Sequence, residues 1–361
     1  MTTIVGAWDI LRASRWKPPG SATRPAGRKL TYQTALEQAE ELFTAAGQVS
    51  PKVRPVLVFY GLSQAGRAIA AAACKAYRDE WKLDSHGIHA VDQPGPLPDV
   101  KLRTGAAGSS GSFVRVSELL GSPVWEHADV PFSELWDYLP NNATPSQALT
   151  DDHASRRMPL EVMPFNHSQP HPYASGLVTG LPERLIDDPQ PGKALDDYLS
   201  AYPGARDYKE YLRTQRAPSD ATAHPTPREV PHFTIDSDER VSLQMHWSAS
   251  NGTNLPTFVR DDYVLSLAKR HAGSAYFFPE ISSAGARIAP LMAWWAVLFS
   301  LSMIARYNPS TWTQHLDINA SRYAYPVERL LDDALLTVPS LIAEAIEQVS
   351  QPSAPELPGR P

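Results

Sequence analysis

The stretch PLMAWWAVLFSLSMIARY, from Pro290 to Tyr307, carries no charge before Arg306. It constrains the fold more than any other part of the chain. A helix that is apolar on every side must be surrounded on every side, by protein or by lipid. A membrane span takes about 20 predominantly apolar residues. This run is short of that, opens at a proline, contains Ser300 and Ser302, and has no basic flank on its N-terminal side. It reads as the central helix of a bundle, with Trp294, Trp295 and Phe299 as core aromatics and Trp312 close behind. Pro309 stops it, since a proline forbids helical continuation at Asn308. The chain can bury such a helix: it has 361 residues, of which 42% are hydrophobic.

A second stretch, PVLVFYGLSQAGRAIAAAA from Pro55 to Ala73, admits two readings. In one, PVLVFY is a strand, GLSQAG a sharp turn and RAIAAAA a helix. Gly61-x-Ser63-x-Ala65 would then be the nucleophile elbow of a serine hydrolase, with a histidine and an acid to follow. His86, His127, His246, His271 and His315 are all available, as in any chain this long. In the other reading the stretch is one helix. Val58, Leu62, Ala65, Ile69, Ala72 and Ala76 follow at alternating steps of four and three, straight through the supposed turn. Pro55 suits a first helical turn and the alanine run favours helix. A glycine at 61 would mark close packing of a neighbour. The helix is the stronger reading, and it makes Ser63 a packing residue.

Along the chain, residues 31–47 form an amphipathic helix, 55–81 the helix just described, and PFSELWDYLP (131–140) a short one. GSFVRVSELLG reads as a short strand feeding a helical turn. Residues 141–231 are rich in Pro, Asn, Asp, Ser and His with little sustained period. They read as an irregular connector holding two short helices, GKALDDYLSAY and ARDYKEYLRTQ. HFTIDSDERVSLQMHW (232–247) alternates like one or two strands, NLPTFVRDDYVLSL fits strand or helix, and GSAYFFPEI is extended. A last helix covers about 325–349, kinked or split at Pro339, before a flexible tail at 351–361. The expected fold is therefore mainly α (α+β). Its N-terminal half is 1–140. After the connector, 232–350 adds a small β section and the second helical half of the same core.

Net charge is −6, with Lys and Arg numbering 33 against 39 for Asp and Glu, which argues against coating nucleic acid through bulk charge. The lone cysteine, Cys74, excludes an internal disulfide and any cysteine-built zinc site, and fits a reducing, cytoplasmic setting. MTTIVGAWDILRASRW shows no basic start, apolar run and cleavage site, so no signal peptide is read.

Three pieces carry a resemblance: FYGLSQAGRAI; SHGIH at Ser85–His89; and PLMAWWAVLFSLSMIARYNPSTW, followed by a late helix rich in Leu and Pro. In these pieces, about 55–90 and 288–350, the chain resembles the YaaC-like protein family, bacterial and uncharacterised. The first block also resembles, more weakly, HEPN-type helical domains, which include RNases of toxin–antitoxin and phage-defence systems. Those RNases use an arginine, four to six residues, then a histidine. Here Arg78 to His86 and Arg306 to His315 are too widely spaced; Arg240 to His246 has the right gap but sits in an apparent strand. The resemblance implies a helical core and leaves ribonuclease activity open.

Among other groups, His167 and His171, with His153 near in sequence, read as solvated loop histidines, so no metal site is expected. GAAGSSGS (105–112) lacks the Gly-Lys-Ser/Thr of a phosphate loop. No cofactor is expected either. The sharpest catalytic candidates are Arg67, His86 and Arg306, with Ser63 as the alternative. If the two core helices pack, Tyr60, Arg67, His86, Arg306 and Tyr307 converge into a site for an anionic ligand such as phosphate. The bland alternative has Arg67 and Arg306 capping helix ends or pairing with Glu328 and Asp332. Three functions follow: a HEPN-like module binding a protein or RNA partner, a serine hydrolase, or a structural assembly protein, with homo-oligomerisation open to each.

Overall fold

The computed structural model describes residues 6–91, 95–152, 156–206, 208, 231, 233–281, 285 and 287–351. The described helices are α1 (Ala7–Trp16), α2 (Ala26–Ala46), α3 (Arg54–Ala72), α4 (Ser112–Leu119), α5 (Phe132–Asp137), α6 (Pro191–Leu199), α7 (Thr257–Leu267), α8 (Pro290–Tyr307), α9 (Pro309–His315) and α10 (Ala324–Ser350). The described strands are β1 (Ile88–Val91), β2 (Lys101–Thr104), β3 (Val130–Pro131), β4 (Leu160–Pro164), β5 (Tyr173–Leu181), β6 (Phe233–Ile235), β7 (Val241–Ser248), β8 (Lys269–His271) and β9 (Ser274–Phe277). The fold is mixed α+β and dominated by helix, as the sequence predicts. Two compact units divide it: one from residues 1–154 and 281–361, the other from 155–280.

The first unit is built around α3, against which α2, α4, α8 and α10 pack. Pro55 occupies its first turn, and from Val58 to Ala72 nearly every residue is buried. The two glycines of GLSQAG face different neighbours. A methyl group on Gly61 would stand 2.7 Å from the Phe43 ring on α2, and one on Gly66 would collide with the Trp295 ring on α8. Small residues therefore let α3 lie close to two helices at once. The helix ends at Ala72, well before the expected Trp81. Ala73 turns extended (ψ 122°) and the Cys74 amide donates to the Val349 carbonyl at 2.9 Å. Buried Arg28 gathers the carbonyls exposed at that end, those of Ala70, Ala71, Ala73 and Ala76. Helix α8 is buried along almost its whole length, and no described helix is long and apolar enough to cross a membrane. A small antiparallel sheet, β1–β2–β3, flanks these helices.

The second unit is an antiparallel sheet in the order β6–β7–β5–β4–β9–β8. Val162, Val178, Leu243, Met245 and Trp247 share one core with Val264 of α7. Arg260, 2% exposed, donates from α7 to the carbonyls of His167, Gln169 and Tyr173, fixing the loop before β5.

Several elements differ from expectation. The first long helix starts at Ala26, and α1 precedes it. GSFVRVSELLG holds a helix with no strand, and NLPTFVRDDYVLSL resolves into α7. The stretch read as an irregular connector contains β4 and β5, adjacent strands inside the six-stranded sheet. The expected helix ARDYKEYLRTQ, apart from Ala205, Arg206 and Tyr208, and the tail beyond Gln351 lie outside the described residues. Pro339 sits inside α10, which continues to Ser350.

Candidate functional site

Ser63 lies midway along α3 and is 8% exposed. A nucleophile elbow needs a strand that ends, a tight turn, and a hydroxyl raised above the sheet. Residues 54–72 form one helix, so none of these is present. The hydrolase reading of Gly61-x-Ser63-x-Ala65 is corrected on that ground: the small residues serve helix packing.

The other candidates do come together. Tyr60 and Arg67 project from α3, His86 lies in the turn before β1, and Arg306 and Tyr307 close α8. The His86 ring stands edge-on to Phe59, centroids 5.3 Å apart, and 6.3 Å from Phe299; Phe59 and Phe299 are themselves 5.5 Å apart. This aromatic wedge joins α3 to α8 and carries the imidazole between them. Arg306 lies over two rings, 5.4 Å from the Tyr60 centroid and 4.9 Å from that of Tyr307. Its Nη2 donates to the Tyr307 hydroxyl at 3.0 Å. From the other side Arg67 Nη1 donates to the Leu83 carbonyl at 2.8 Å, just upstream of the turn.

The backbone of that turn is held as firmly. The Phe113 amide donates to the His86 carbonyl at 2.9 Å, the Ser112 amide to that of Ser85 at 2.8 Å, and the Gly105 amide to that of Gly87 at 2.9 Å. Gly87 takes φ +70°, and a methyl there would stand 2.9 Å from Gly111. The Gly-rich loop is thus the bed for the Ser-His-Gly turn. Amides at the start of α4 serve Ser85 and His86, and those of Ala107 and Gly108 donate to the carboxylates of Glu126 and Glu118.

Electrostatics follow from the placement. Burial, then Arg306, then Arg67, hold the His86 pKa below its ordinary value. The imidazole is therefore neutral at pH 7, able to accept a proton, with fixed positive charge beside it. Among the described residues neither arginine pairs with a carboxylate. Asp332, the partner considered for them, binds Arg54 instead. The sequence named these five polar residues as candidates but not Phe59 and Phe299, on which the His86 ring packs. The paired aromatics in FYGLSQ were the signal for Phe59, and Phe299 stood among the core aromatics of the apolar run.

The remaining motifs stay apart. Arg240 binds Asp236 and Glu161, whereas His246 meets Ser175 across β5 and β7, Nδ1 to Oγ 2.7 Å. His315 packs on Tyr323, 5.5 Å between centroids, and Arg306 faces the tyrosines. His171 Nδ1 accepts the Tyr173 amide, and His153 lies outside the described residues. No described group of three or more His, Cys, Asp or Glu is arranged to hold a metal.

No curated protein and no solved structure matches the chain. A family model does match, that of the YaaC-like protein, over residues 14–346. That span takes in every element of the helical unit carrying the Tyr60–Arg67–His86–Arg306–Tyr307 cluster except the first turns of α1 and the last of α10, and the chain belongs to the YaaC-like protein family.

Proposed function

We propose that the chain is a HEPN-like helical module whose arginine–histidine–tyrosine cluster binds a phosphate-bearing partner, RNA in the first place. One observation carries the reading: Arg67 and Arg306 flank His86 with no carboxylate to neutralise either among the described residues. Elsewhere Arg54, Arg103, Arg206, Arg240 and Arg322 each pair with an acid. In a chain of net charge −6, an unmatched pair of guanidiniums is a local inversion of the field. Guanidinium geometry suits phosphate oxygens, and a neutral imidazole between two such groups can move a proton while they hold developing charge.

The test is binding of a labelled single-stranded RNA at low salt, by fluorescence anisotropy. Arg67→Ala and Arg306→Ala should each weaken binding about tenfold or more with melting temperature unchanged. Wild-type protein that binds no RNA, or variants that bind as wild type does, would overturn the reading. Gel analysis of the bound strand separates a binding module from a nuclease, in which His86→Ala abolishes cutting. The setting that goes with the HEPN resemblance is toxin–antitoxin or phage defence. Growth arrest on overexpression, relieved by Arg67→Ala, is the outcome expected there.

A further inference from the structure

The cluster has a direction. Phe299, 2% exposed, and Phe59, fully buried, form its root in the core. Tyr60 stands 5.5 Å from Phe59, the Arg306 guanidinium lies over Tyr60, and Tyr307 lies beyond Arg306. The series is a ladder of planar groups that starts between α3 and α8 and ends at the surface. Its outer rung, Tyr307, is 62% exposed. The hydroxyl of Tyr307 accepts from Arg306, so ring and guanidinium hold each other in place. Arg306 makes only neutral contacts among the described residues, so its charge remains available to a ligand.

A fixed, exposed aromatic face beside uncompensated cations complements a flat, neutral π-system joined to groups that carry negative charge. From this geometry we infer that Tyr307 is a stacking platform for one unpaired nucleobase, with the phosphates on either side of that base meeting Arg306 and Arg67. The ligand class is therefore single-stranded RNA and not duplex. In a duplex both faces of each base are covered by neighbours, so no face is left for Tyr307. An acidic peptide offers charge without the planar ring. This inference rests on the phosphate-binding reading and adds to it the part of the ligand that is not phosphate.

The experiment compares four probes of matched charge on the full chain at one low salt concentration. They are single-stranded RNA, a duplex of half its length, an abasic ribose-phosphate strand, and an oligoglutamate as competitor. Wild-type protein should bind the single strand at least fivefold more tightly than the duplex or the abasic strand, and oligoglutamate should compete poorly. Tyr307→Ala should lose five- to a hundredfold in affinity for the single strand and almost nothing for the abasic one, because stacking is what it removes. Tyr307→Phe keeps the ring and should stay within about threefold of wild type. Equal binding of all probes, preference for duplex, or a Tyr307→Ala variant that binds as wild type does overturns the stacking inference while phosphate recognition stands. No binding of any probe by wild type overturns the phosphate reading itself. Should Tyr307→Ala melt early, Tyr307→Phe and the abasic strand still decide between these outcomes.

Discussion

Gly61 and Gly66 settle what GLSQAG is for. Each would place a methyl group inside van der Waals contact with a ring on a different helix, Phe43 on one side and Trp295 on the other. A hydrolase motif and a two-sided packing motif both call for small residues, so the six letters alone cannot separate them; the periodicity around them can. Gly66→Ala should therefore destabilise the fold by about 2 kcal/mol or more, as overpacking does. Gly27→Ala, at the start of α2 with nothing within 4 Å, should be neutral or stabilising by up to about 1 kcal/mol. Urea melts of the pair check this, and equal midpoints would refute the close approach. A second residue-scale expectation concerns His271, 5% exposed and packed near Tyr276 and Phe278, whose burial lowers its pKa to about 4. The fold favours the neutral ring. Above about pH 6.5 both states are neutral and His271 has no effect. As pH falls from there to about 4, the unfolded chain takes a proton that the folded chain refuses, and stability declines by about 3 kcal/mol in all. His271→Gln should flatten that part of the stability–pH curve.

At the scale of elements, α3 owes its C-terminal end to Arg28, whose one guanidinium serves four carbonyls in the interior. Lysine cannot reproduce that fork, and a truncated side chain leaves buried carbonyls unmet. Arg28→Met should cost about 3 kcal/mol and speed amide exchange at residues 72–76 before the rest of α3 loosens; hydrogen exchange reads both. Elements with strong local period were legible: α2, α3, α5, α8 and α10 come from spacing, proline position and burial pattern. Strands β4 and β5 were not. LEVMP is short, YASGLVTGL is broken by two glycines, and the pairing of Ser175 with His246 spans a distance in sequence that no local window sees. Helix α7 was ambiguous until Arg260 and Val264, one turn apart, proved to be its buried face. At the site, residue types marked Tyr60, Arg67, His86, Arg306 and Tyr307. Whether the arginines meet acids or stay unmatched depends on how α3 and α8 pack, which composition does not encode.

For the whole molecule, the units differ in how the chain supplies them. The β-rich unit is one continuous stretch with its own core. A fragment spanning 155–280 should fold alone, giving dispersed amide NMR signals and a cooperative melt; a collapsed spectrum would show that its core is insufficient. The helical unit is discontinuous, with α3 and His86 encoded before the inserted stretch and α8 after it. During synthesis this has a consequence for timing. A ribosome that has made Arg67 and His86 must translate the entire inserted unit before Arg306 and Tyr307 exist. Until then the Trp295-facing side of α3 has no partner, and the loop closed when it finds one is long. Nascent chains, and any product truncated before Pro290, thus carry only half of the cluster. The cluster is whole only once the helix ending at Tyr307 has been made and has found α3.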